Sequence, residues 1–479
     1  MAERDTIDER IYGPTDQDRF AALSGDRNPI HLDAVGARRE MFGAVVVHGL
    51  HLLLRALDAL IGTRGGGRPV RLRGQFPHPA FLAVPVTTRL VERAGDGSSR
   101  LSVESGGQVC LHATIEWDDA PAPTAPSAAV SEPPAGPPAA PNECAADTLT
   151  GREGRVDLWL DARAAARDFP RLHAALGPAR MAELLALTRL VGMECPGLRS
   201  IFSAFDVELA PDAPPARALR FAVERVIASA SFLKLRVAGG GIGGVLDAFL
   251  RPPPHTQATY AEVRARVASR EFAGQRALIV GGSRGLGEVT AKLVAAGGGH
   301  ATVTYCAGRT DAERVAAEIA AAGGHCDVLH YDVAAADTAV PALARLRPTH
   351  VYYFASPKIF VKRGGPYDPS LYARFAAVYV DGLESLVAAC RAAGLPHLRL
   401  FVPSSTVLDE PVRNLEEYAE AKAAAEARCA LLARRGVVVT LRRLPRIATD
   451  QTLTLIRHAA GDALDILTPI VRGMNDGDG

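Results

Sequence analysis

The 479-residue sequence has few cysteines, almost no net charge and no long apolar run. Its seven cysteines are scattered, odd in number and never spaced Cys-x-x-Cys, which argues against a disulfide framework or a zinc site and indicates a reducing cytoplasm. The formal net charge of +1 gives no electrostatic footprint for nucleic acid or an anionic membrane. No apolar stretch reaches the roughly 18–20 residues that a bilayer span needs. The charged beginning, MAERDTIDER, lacks a signal-peptide core.

The most unusual segment in composition is 120–142, which contains eight prolines and no aromatic residue. Such a segment can neither pair in a sheet nor bury a core, so it predicts an extended, semi-rigid linker. With its flanks it divides the chain into a first domain at 1–119, a linker at 120–147, a second domain at 148–256 and a third at 257–479.

The pattern of apolar residues predicts two fold classes. In the first domain a polar loop and an apolar helix, HGLHLLLRALDALIG, precede alternating strands, which indicates an α+β domain with an antiparallel sheet. The second domain repeats this layout without repeating the sequence. From a bridging helix at 259–272 onward, β-branched runs alternate with Ala/Leu-rich helices, which predicts an α/β, doubly wound parallel sheet.

The third domain begins with a glycine-rich turn between a strand and a helix. Gly281, Gly285 and Gly287 would let the backbone approach a pyrophosphate at the helix N-terminus, although a plain turn is the alternative. No acid follows the second strand, where NAD would need one for its ribose. Arg284 and Arg309 are placed to meet a 2′-phosphate, unless both are merely solvated. The cofactor predicted is therefore NADP(H).

Further along, Tyr418 and Lys422 are four residues apart and therefore share one helix face. A lysine ammonium beside the phenol would lower the phenol pKa and suit it to proton transfer. Ser405 ends an apolar strand thirteen residues earlier, and its hydroxyl could orient a carbonyl oxygen.

In this order of motifs, residues 273–470 resemble a short-chain dehydrogenase/reductase. The resemblance implies that Ser405, Tyr418 and Lys422 are the catalytic residues, that Asp332 contacts adenine and that Thr449 lies near the nicotinamide. The NADP(H) contacts that it implies are Gly281, Ser283, Arg284, Gly285, Leu286, Gly287, Arg309, Asp332, Val333, Ala355, Lys422 and Thr449. Two positions depart from the family: Phe354-Ala355-Ser356-Pro357 replaces Asn-Asn-Ala-Gly, and Tyr379 replaces the asparagine that supports a proton-supplying water chain.

The first domain carries the loop SGDRNPIH, in which Asp26 and His31 flank Asn28-Pro29. The proline stiffens the loop, and a carboxylate and an imidazole on it can hold a water as general base and acid. His48-Gly49 then opens an apolar helix, whose free N–H groups can polarise a thioester carbonyl. The alternative is ordinary turn and helix-capping chemistry.

This loop and the following Phe-Gly and His-Gly pairs closely resemble the (R)-specific enoyl-CoA hydratases and MaoC-like dehydratases of the hot-dog fold. The resemblance implies that Asp26 and His31 are the catalytic pair, that Asn28 shapes the loop and that the Gly49 amide binds the substrate carbonyl. The second domain would be a non-catalytic hot dog that completes the sheet and one wall of an acyl tunnel. It lacks the loop, so His173 and Glu194 are interpreted as core or surface residues.

Together the two resemblances predict a bifunctional enzyme of fatty acyl or polyketide metabolism. It would reduce a 3-oxoacyl thioester with NADPH and dehydrate the 3-hydroxyacyl product to the 2-enoyl thioester, on acyl carrier protein or coenzyme A. A homodimer without metal is expected. Two alternatives stay open: only one half is active, or both folds serve a non-catalytic acyl-binding or assembly module.

Overall fold

The computed structural model describes residues 5–93, 97–119, 130–210, 212–360, 364–455 and 458–475. Two compact units form, one from 1–253 with 454–457 and the other from 254–453 with 458–479. Of the predicted linker at 120–147, the part 120–129 lies outside the described residues, and 131–140 is exposed. All seven cysteines are free, as the sequence predicts. No described helix is both long and apolar enough to cross a membrane.

In the described part of the first unit, ten strands and five α-helices follow one another. Their bounds are β1 Asp5–Ile11, α1 Pro14–Ser24, α2 Pro29–Leu32, α3 Gly49–Arg64, β2 Arg68–Gln75, β3 Pro85–Arg93, β4 Ser99–Ser105, β5 Gln108–Asp118, β6 Glu153–Asp157, α4 Ala162–Asp168, α5 Pro170–Arg189, β7 Ser200–Leu209, β8 Ala218–Ile227, β9 Phe232–Ala238 and β10 Ile242–Leu250.

All ten strands belong to one antiparallel sheet, in the order β1-β3-β4-β5-β2-β7-β10-β9-β8-β6. Residues 1–119 are called the first stretch of this unit and residues 148–253 the second stretch. The antiparallel strands predicted for both stretches are therefore present. Those of the first stretch, with helix α3, have the hot-dog layout. The β2–β7 pair, from Arg71 opposite Glu208 to Gln75 opposite Ala204, joins the two stretches into a continuous sheet.

Helices α3 and α5 pack against each other and against this sheet. Leucines recur on the buried side of α3, including Leu50, Leu53 and Leu57, which have no exposed surface. The buried Asp58 of α3 accepts hydrogen bonds from the backbone N–H groups of Arg171 and Leu172, at 2.8 and 2.9 Å. These donors belong to the first turn of α5, so the carboxylate satisfies N–H groups that a helix leaves unpaired.

The described part of the second unit alternates strands and helices. Their bounds are α6 Tyr260–Arg264, β11 Arg276–Val280, α7 Gly285–Ala296, β12 His300–Tyr305, α8 Arg309–Ala321, β13 His325–His330, α9 Val340–Leu346, β14 His350–Tyr353, α10 Pro369–Ala376, α11 Gly382–Ala392, β15 Arg399–Ser405, α12 Glu416–Arg434, β16 Val438–Leu444 and α13 Ala463–Gly473.

The six strands pair in parallel in the order β13-β12-β11-β14-β15-β16. This is the Rossmann-type, doubly wound order, and it confirms the prediction of a parallel α/β sheet. The predicted bridging helix at 259–272 is wrong in its extent, because only Tyr260–Arg264 is helical. Beyond it the chain turns so that Phe272 becomes fully buried and its N–H binds the Gly297 carbonyl.

Candidate active sites

The predicted acid–base loop begins at the end of α1 and runs into α2, which contains His31. Helix α1 ends at Ser24, and Gly25 follows with φ 77°, where a side chain would be strained. Asn28 caps α2, since its side-chain oxygen accepts from the Ile30 N–H at 3.3 Å, and Pro29 occupies the first helical position. The sequence therefore makes a tight corner that presents Asp26.

Asp26 is 1% exposed, and two hydrogen bonds hold its carboxylate. Thr188 donates its hydroxyl to Oδ2 at 2.6 Å, and the Asn28 N–H donates to Oδ1 at 3.2 Å. Gly192 packs so closely that a Cβ there would lie 2.3 Å from Oδ1. Burial raises the pKa of Asp26, while His31 and the Thr188 hydrogen bond oppose that rise.

His31 and His48 stack with their ring centroids 3.8 Å apart. His31 Nδ1 lies 2.8 Å from the Val46 carbonyl and must donate to it, which leaves Nε2 as the basic nitrogen. His48 Nε2 likewise donates to the Asp26 carbonyl at 3.0 Å. Burial lowers the pKa of both imidazoles, so both are neutral near pH 7.

The side chains of Asp26, His31 and His48 each place a polar atom within 4.8 Å of the others. The structure thus brings the predicted Asp26–His31 pair together and adds His48, for which the sequence predicts only a place at the start of a helix. A carboxylate and a neutral imidazole at this separation can bind one water molecule between them. The carboxylate or His31 Nε2 can accept a proton from that water and then deliver the same proton to a neighbouring atom.

Asn28 ties this loop to the second stretch of the unit. Its amide donates to the carbonyls of Gly192, Gly197 and Leu198, at 2.9, 3.2 and 3.2 Å. These contacts give it the geometry expected of a residue that shapes the loop. Gly49 begins α3, and a Cβ there would lie 3.0 Å from the Phe76 ring. Because Gly49 is the first residue of α3, its N–H belongs to the first helical turn, where N–H groups have no intrahelical partner.

Several residues around Asp26 were missed by the sequence analysis because they come from the second stretch. Besides Thr188 and Gly192, the Met193 sulfur accepts from the Arg27 N–H at 3.2 Å. The Arg189 guanidinium donates to the Ser24 carbonyl at 3.2 Å and lies over the Trp159 ring at 4.3 Å. None of these residues forms a motif in the sequence, so only the fold could reveal them.

His173 and Glu194, the two polar residues of the second stretch considered in the sequence analysis, have surroundings different from those of Asp26. Glu194 accepts a hydrogen bond from the Asn142 amide at 2.9 Å. His173 lies near the start of α5, and burial lowers its pKa. Neither observation changes their interpretation as core or surface residues.

In the second unit, the glycine turn follows β11 and opens α7. Gly281 and Gly285 have φ of 78° and 58°, and a Cβ on Gly287 would lie 2.3 Å from the Gly281 carbonyl oxygen. All three positions therefore require glycine. These three glycines form the glycine cradle. The cradle also contacts two predicted cofactor residues: Ala355 lies against Gly281, and the Thr449 side chain lies against Gly285. This bare backbone at a helix start fits a dinucleotide pyrophosphate.

The remaining predicted cofactor residues are distributed around this turn. Ser283 is half-buried in the turn itself, and Leu286 is half-buried in the first turn of α7. Asp332 caps the turn that contains Val333 by accepting from the Ala334 N–H at 2.9 Å. Arg284 is paired with Asp450 at 3.4 Å, whereas Arg309 is 73% exposed and paired with Glu313 at 2.7 Å. Arg284 is therefore half-buried in the glycine turn after β11, whereas Arg309 is exposed beyond the end of β12.

Ser405, Tyr418 and Lys422 lie at the carboxyl end of β15 and on α12. The Ser405 hydroxyl lies within hydrogen-bonding reach of the Tyr418 phenol and acts to lower its pKa. Lys422 Nζ donates to the Pro403 carbonyl at 2.9 Å and lies 3.9 Å from the Tyr379 ring centroid, but 5.8 Å from that of Tyr418. The serine and tyrosine are therefore in contact, and the lysine faces a different ring.

The expected lowering of the Tyr418 pKa by Lys422 is not found. Burial raises the pKa of Tyr418 to about 12, and only the Ser405 hydrogen bond opposes the rise. Burial also lowers the pKa of Lys422 to about 7, which reduces its cationic character at neutral pH. The amine also lies closer to the ring of Tyr379, the residue that replaces the usual asparagine, than to the ring of Tyr418. The Tyr379 hydroxyl in turn contacts Ser356 at 2.7 Å.

Residues 2–94 match the family model of the MaoC-like domain. The first unit therefore begins with a MaoC-like domain. Two curated relatives are each 35% identical to it: the 3-hydroxybutyryl-CoA dehydratase of Methylorubrum extorquens over 77 residues and the (R)-specific enoyl-CoA hydratase of Aeromonas caviae over 82 residues. Each alignment covers 16% of this chain, and the chain spans 43% and 60% of the respective relatives.

Among solved structures, the chain is similar to a short-chain dehydrogenase from Burkholderia cenocepacia in complex with NADP, with 23% identity and a TM-score of 0.37. The match covers 43% of this chain and 94% of that one. The Rossmann-type assignment of the second unit rests on its own strand order.

Proposed function

We propose that the MaoC-like domain catalyses the reversible addition of water to a 2-enoyl thioester. The observation that carries this proposal is the pairing of the buried Asp26 with the half-buried His31, whose polar atoms lie within 4.8 Å of each other. Asp26 and His31 would hold the water and exchange protons with it and with the α-carbon of the substrate. The Gly49 amide would bind the thioester carbonyl as negative charge develops on it. The names of the two relatives support a coenzyme A thioester as substrate.

We also propose that the second unit is a short-chain dehydrogenase/reductase that uses NADP(H). Support comes from the glycine cradle, the parallel strand order and the Ser405–Tyr418 contact. The nicotinamide would supply the hydride to a 3-oxoacyl thioester. Ser405 would orient the carbonyl oxygen, Tyr418 would donate its phenolic proton to that oxygen, and Lys422 would bind the cofactor and keep the proton supply near Tyr418.

The two proposed reactions are consecutive, because the 3-hydroxyacyl product of the reductase is the substrate for dehydration. Joining both in one chain raises the effective concentration of the shared intermediate. The residues 148–256 would be a second, non-catalytic hot-dog domain, which is supported by α5 and by the five strands that they add to the sheet. Acyl carrier protein as an alternative carrier, the homodimer, and the fatty acyl or polyketide context remain predictions.

A second candidate function is that the second unit binds NADP(H) without reducing a substrate. Tyr379 favours it, because this residue replaces the usual asparagine and draws the Lys422 amine to its own ring face. Following NADPH absorbance with a 3-oxoacyl thioester separates the two candidates, since the second one predicts cofactor binding without turnover.

The cofactor preference can be tested by titration. We expect NADPH to bind more tightly than NADH, because no acid follows β12 while Arg284 lies in the glycine turn and Arg309 lies just beyond β12. Arg284→Ala and Arg309→Ala should each weaken NADPH binding by about 1–3 kcal/mol, the value of a charged hydrogen bond, and leave NADH binding unchanged. Arg345→Ala, an exposed arginine on α9, is the matched control. Equal affinity for both nucleotides would contradict the NADP(H) assignment.

Gly192→Ala should reduce enoyl hydration by at least about 100-fold. Its Cβ would overlap the Asp26 carboxylate, and a displacement of about 1 Å in a reacting group has an effect of that size. Gly243→Ala is the control from the same stretch, because a Cβ there would have its nearest neighbour at 3.9 Å. The rate of hydration of a short enoyl-CoA measures both. Unchanged hydration in Gly192→Ala would show that the position of Asp26 does not matter.

A further inference from the structure

The second stretch of the first unit lacks a catalytic motif, yet one of its hydroxyl groups contacts the proposed catalytic carboxylate. Thr188 is 4% exposed and lies near the C-terminal end of α5. Its hydroxyl donates to Asp26 Oδ2 at 2.6 Å, across a sequence separation of 162 residues. The contact therefore depends on the fold of both stretches.

This partner is unusual for a hydroxyl on a helix. Such groups commonly donate to the carbonyl four residues earlier in their own helix. Ser24, Thr63, Thr290 and Thr468 all do so here, at 2.7, 3.2, 2.9 and 2.6 Å. Thr188 instead makes a charge-assisted hydrogen bond to a carboxylate, of the short and strong kind.

The chain after Thr188 is shaped to fit the same carboxylate. Helix α5 continues into a π-helical turn, Leu190–Glu194, a rare conformation that is frequent at functional sites. Gly192 in this turn leaves room for Asp26, and its carbonyl accepts from Asn28. Thr188 and Gly192, four residues apart along this segment, thus both lie against the Asp26 carboxylate.

We propose that Thr188 is a positioning residue for Asp26, which fixes the rotation of its carboxylate and favours the ionised form. The proposal rests on the proposed hydration activity. Hydrogen bonding to a charged form stabilises it, so the threonine counteracts the effect of burial. The second stretch is then part of the acid–base machinery as well as of the sheet.

The direction of the pH effect follows from the groups around Asp26. His31 faces it from α2, His48 from the N-cap position of α3, and Arg189 from α5. None of these changes in Thr188→Val, which removes only the hydroxyl. The pKa of Asp26 should then rise, and because the ionised form is the active base, the acidic limb of the hydration profile should move to higher pH.

The test compares Thr188→Val, Thr188→Ser and the wild type, with Thr63→Val as a control for losing a helical hydroxyl. Hydration of crotonyl-CoA is measured against pH. For Thr188→Val we expect the midpoint of the acidic limb to move to higher pH by about one to two units. We also expect kcat to fall about 10–100-fold, with KM nearly unchanged. Thr188→Ser should restore both, and Thr63→Val should match the wild type.

A readout that does not depend on activity accompanies the profile. The carboxyl pKa of Asp26 is followed by NMR in protein labelled with ¹³C-aspartate, and Asp26→Asn assigns its signal. A higher pKa in Thr188→Val supports the proposal even if the wild type hydrates nothing, an outcome that would refute only the proposed function. If Thr188→Val has the wild-type Asp26 pKa and pH profile, the positioning role of Thr188 is overturned. A loss of activity that Thr188→Ser does not restore would also overturn it. If Thr188→Val does not fold, the smaller Thr188→Ala takes its place in both measurements.

Discussion

Asp26→Asn should lower the rate of enoyl thioester hydration by about 10²–10⁴-fold or more, with the fold intact. The amide keeps the shape of the side chain but cannot act as a base, and general acid–base catalysis is typically worth that factor. His31→Ala should have a similar effect. The double variant should be scarcely slower than either single one, because residues that act as a unit are not additive. The absorbance of a crotonyl-type thioester measures each rate.

Asp33→Asn is the matched control, since Asp33 follows the same loop but is exposed and only accepts from the N–H groups of Val35 and Gly36. It should hydrate at the wild-type rate. Oxidation of NADPH should be unaffected in Asp26→Asn, because the proposed reductase residues belong to the other compact unit. Hydration that persists in Asp26→Asn would place the chemistry elsewhere, whereas loss of both activities would indicate a damaged fold.

Tyr418→Phe should abolish NADPH oxidation by a 3-oxoacyl thioester and leave NADPH affinity almost unchanged. The substitution removes the proposed proton donor, and the glycine cradle does not include this phenol. The buried ring, 8% exposed, would keep its packing against Phe375 and Tyr379. Turnover is followed at the NADPH absorbance band, and binding by titration of the nucleotide fluorescence.

Two further phenylalanine variants make this result specific. Tyr372→Phe changes a half-buried tyrosine on α10 and should retain full turnover. Tyr379→Phe keeps the ring face beneath the Lys422 amine but loses the contact with Ser356. If Tyr418→Phe keeps a near-normal rate and Tyr379→Phe does not, the proton donor is Tyr379, and the assignment from the sequence is wrong.

The features that the sequence predicted correctly are local ones. Alternating apolar residues predicted the antiparallel strands of the first unit. The β-branched runs between Ala/Leu-rich helices predicted the parallel sheet of the second unit. The glycine spacing was informative because Gly281 and Gly285 need positive φ and Gly287 needs close backbone contact. In the loop of Asp26 and His31, the capping by Asn28 and the rigid Pro29 are likewise encoded within a few residues.

What the sequence did not reveal depends on distant residues. Thr188 and Gly192 reach Asp26 only because β2 pairs with β7 and α5 packs beside α3, and nothing near them marks that contact. The environment of Lys422 was mispredicted for a similar reason. Lys422 and Tyr418 do lie four residues apart on α12. The Lys422 amine nevertheless lies over the ring of Tyr379, which comes from a segment distant in the sequence.

The central claim is that one chain carries out reduction and dehydration in succession, and a mass analysis of thioesters tests it most directly. The purified protein is incubated with NADPH and a panel of 3-oxoacyl-CoA thioesters of different chain length. We expect NADPH oxidation to yield 3-hydroxyacyl-CoA together with 2-enoyl-CoA, and we expect Asp26→Asn to stop at the 3-hydroxyacyl stage. The absence of both products from every substrate, with NADPH bound but not consumed and no hydration of added enoyl-CoA, would contradict the claim.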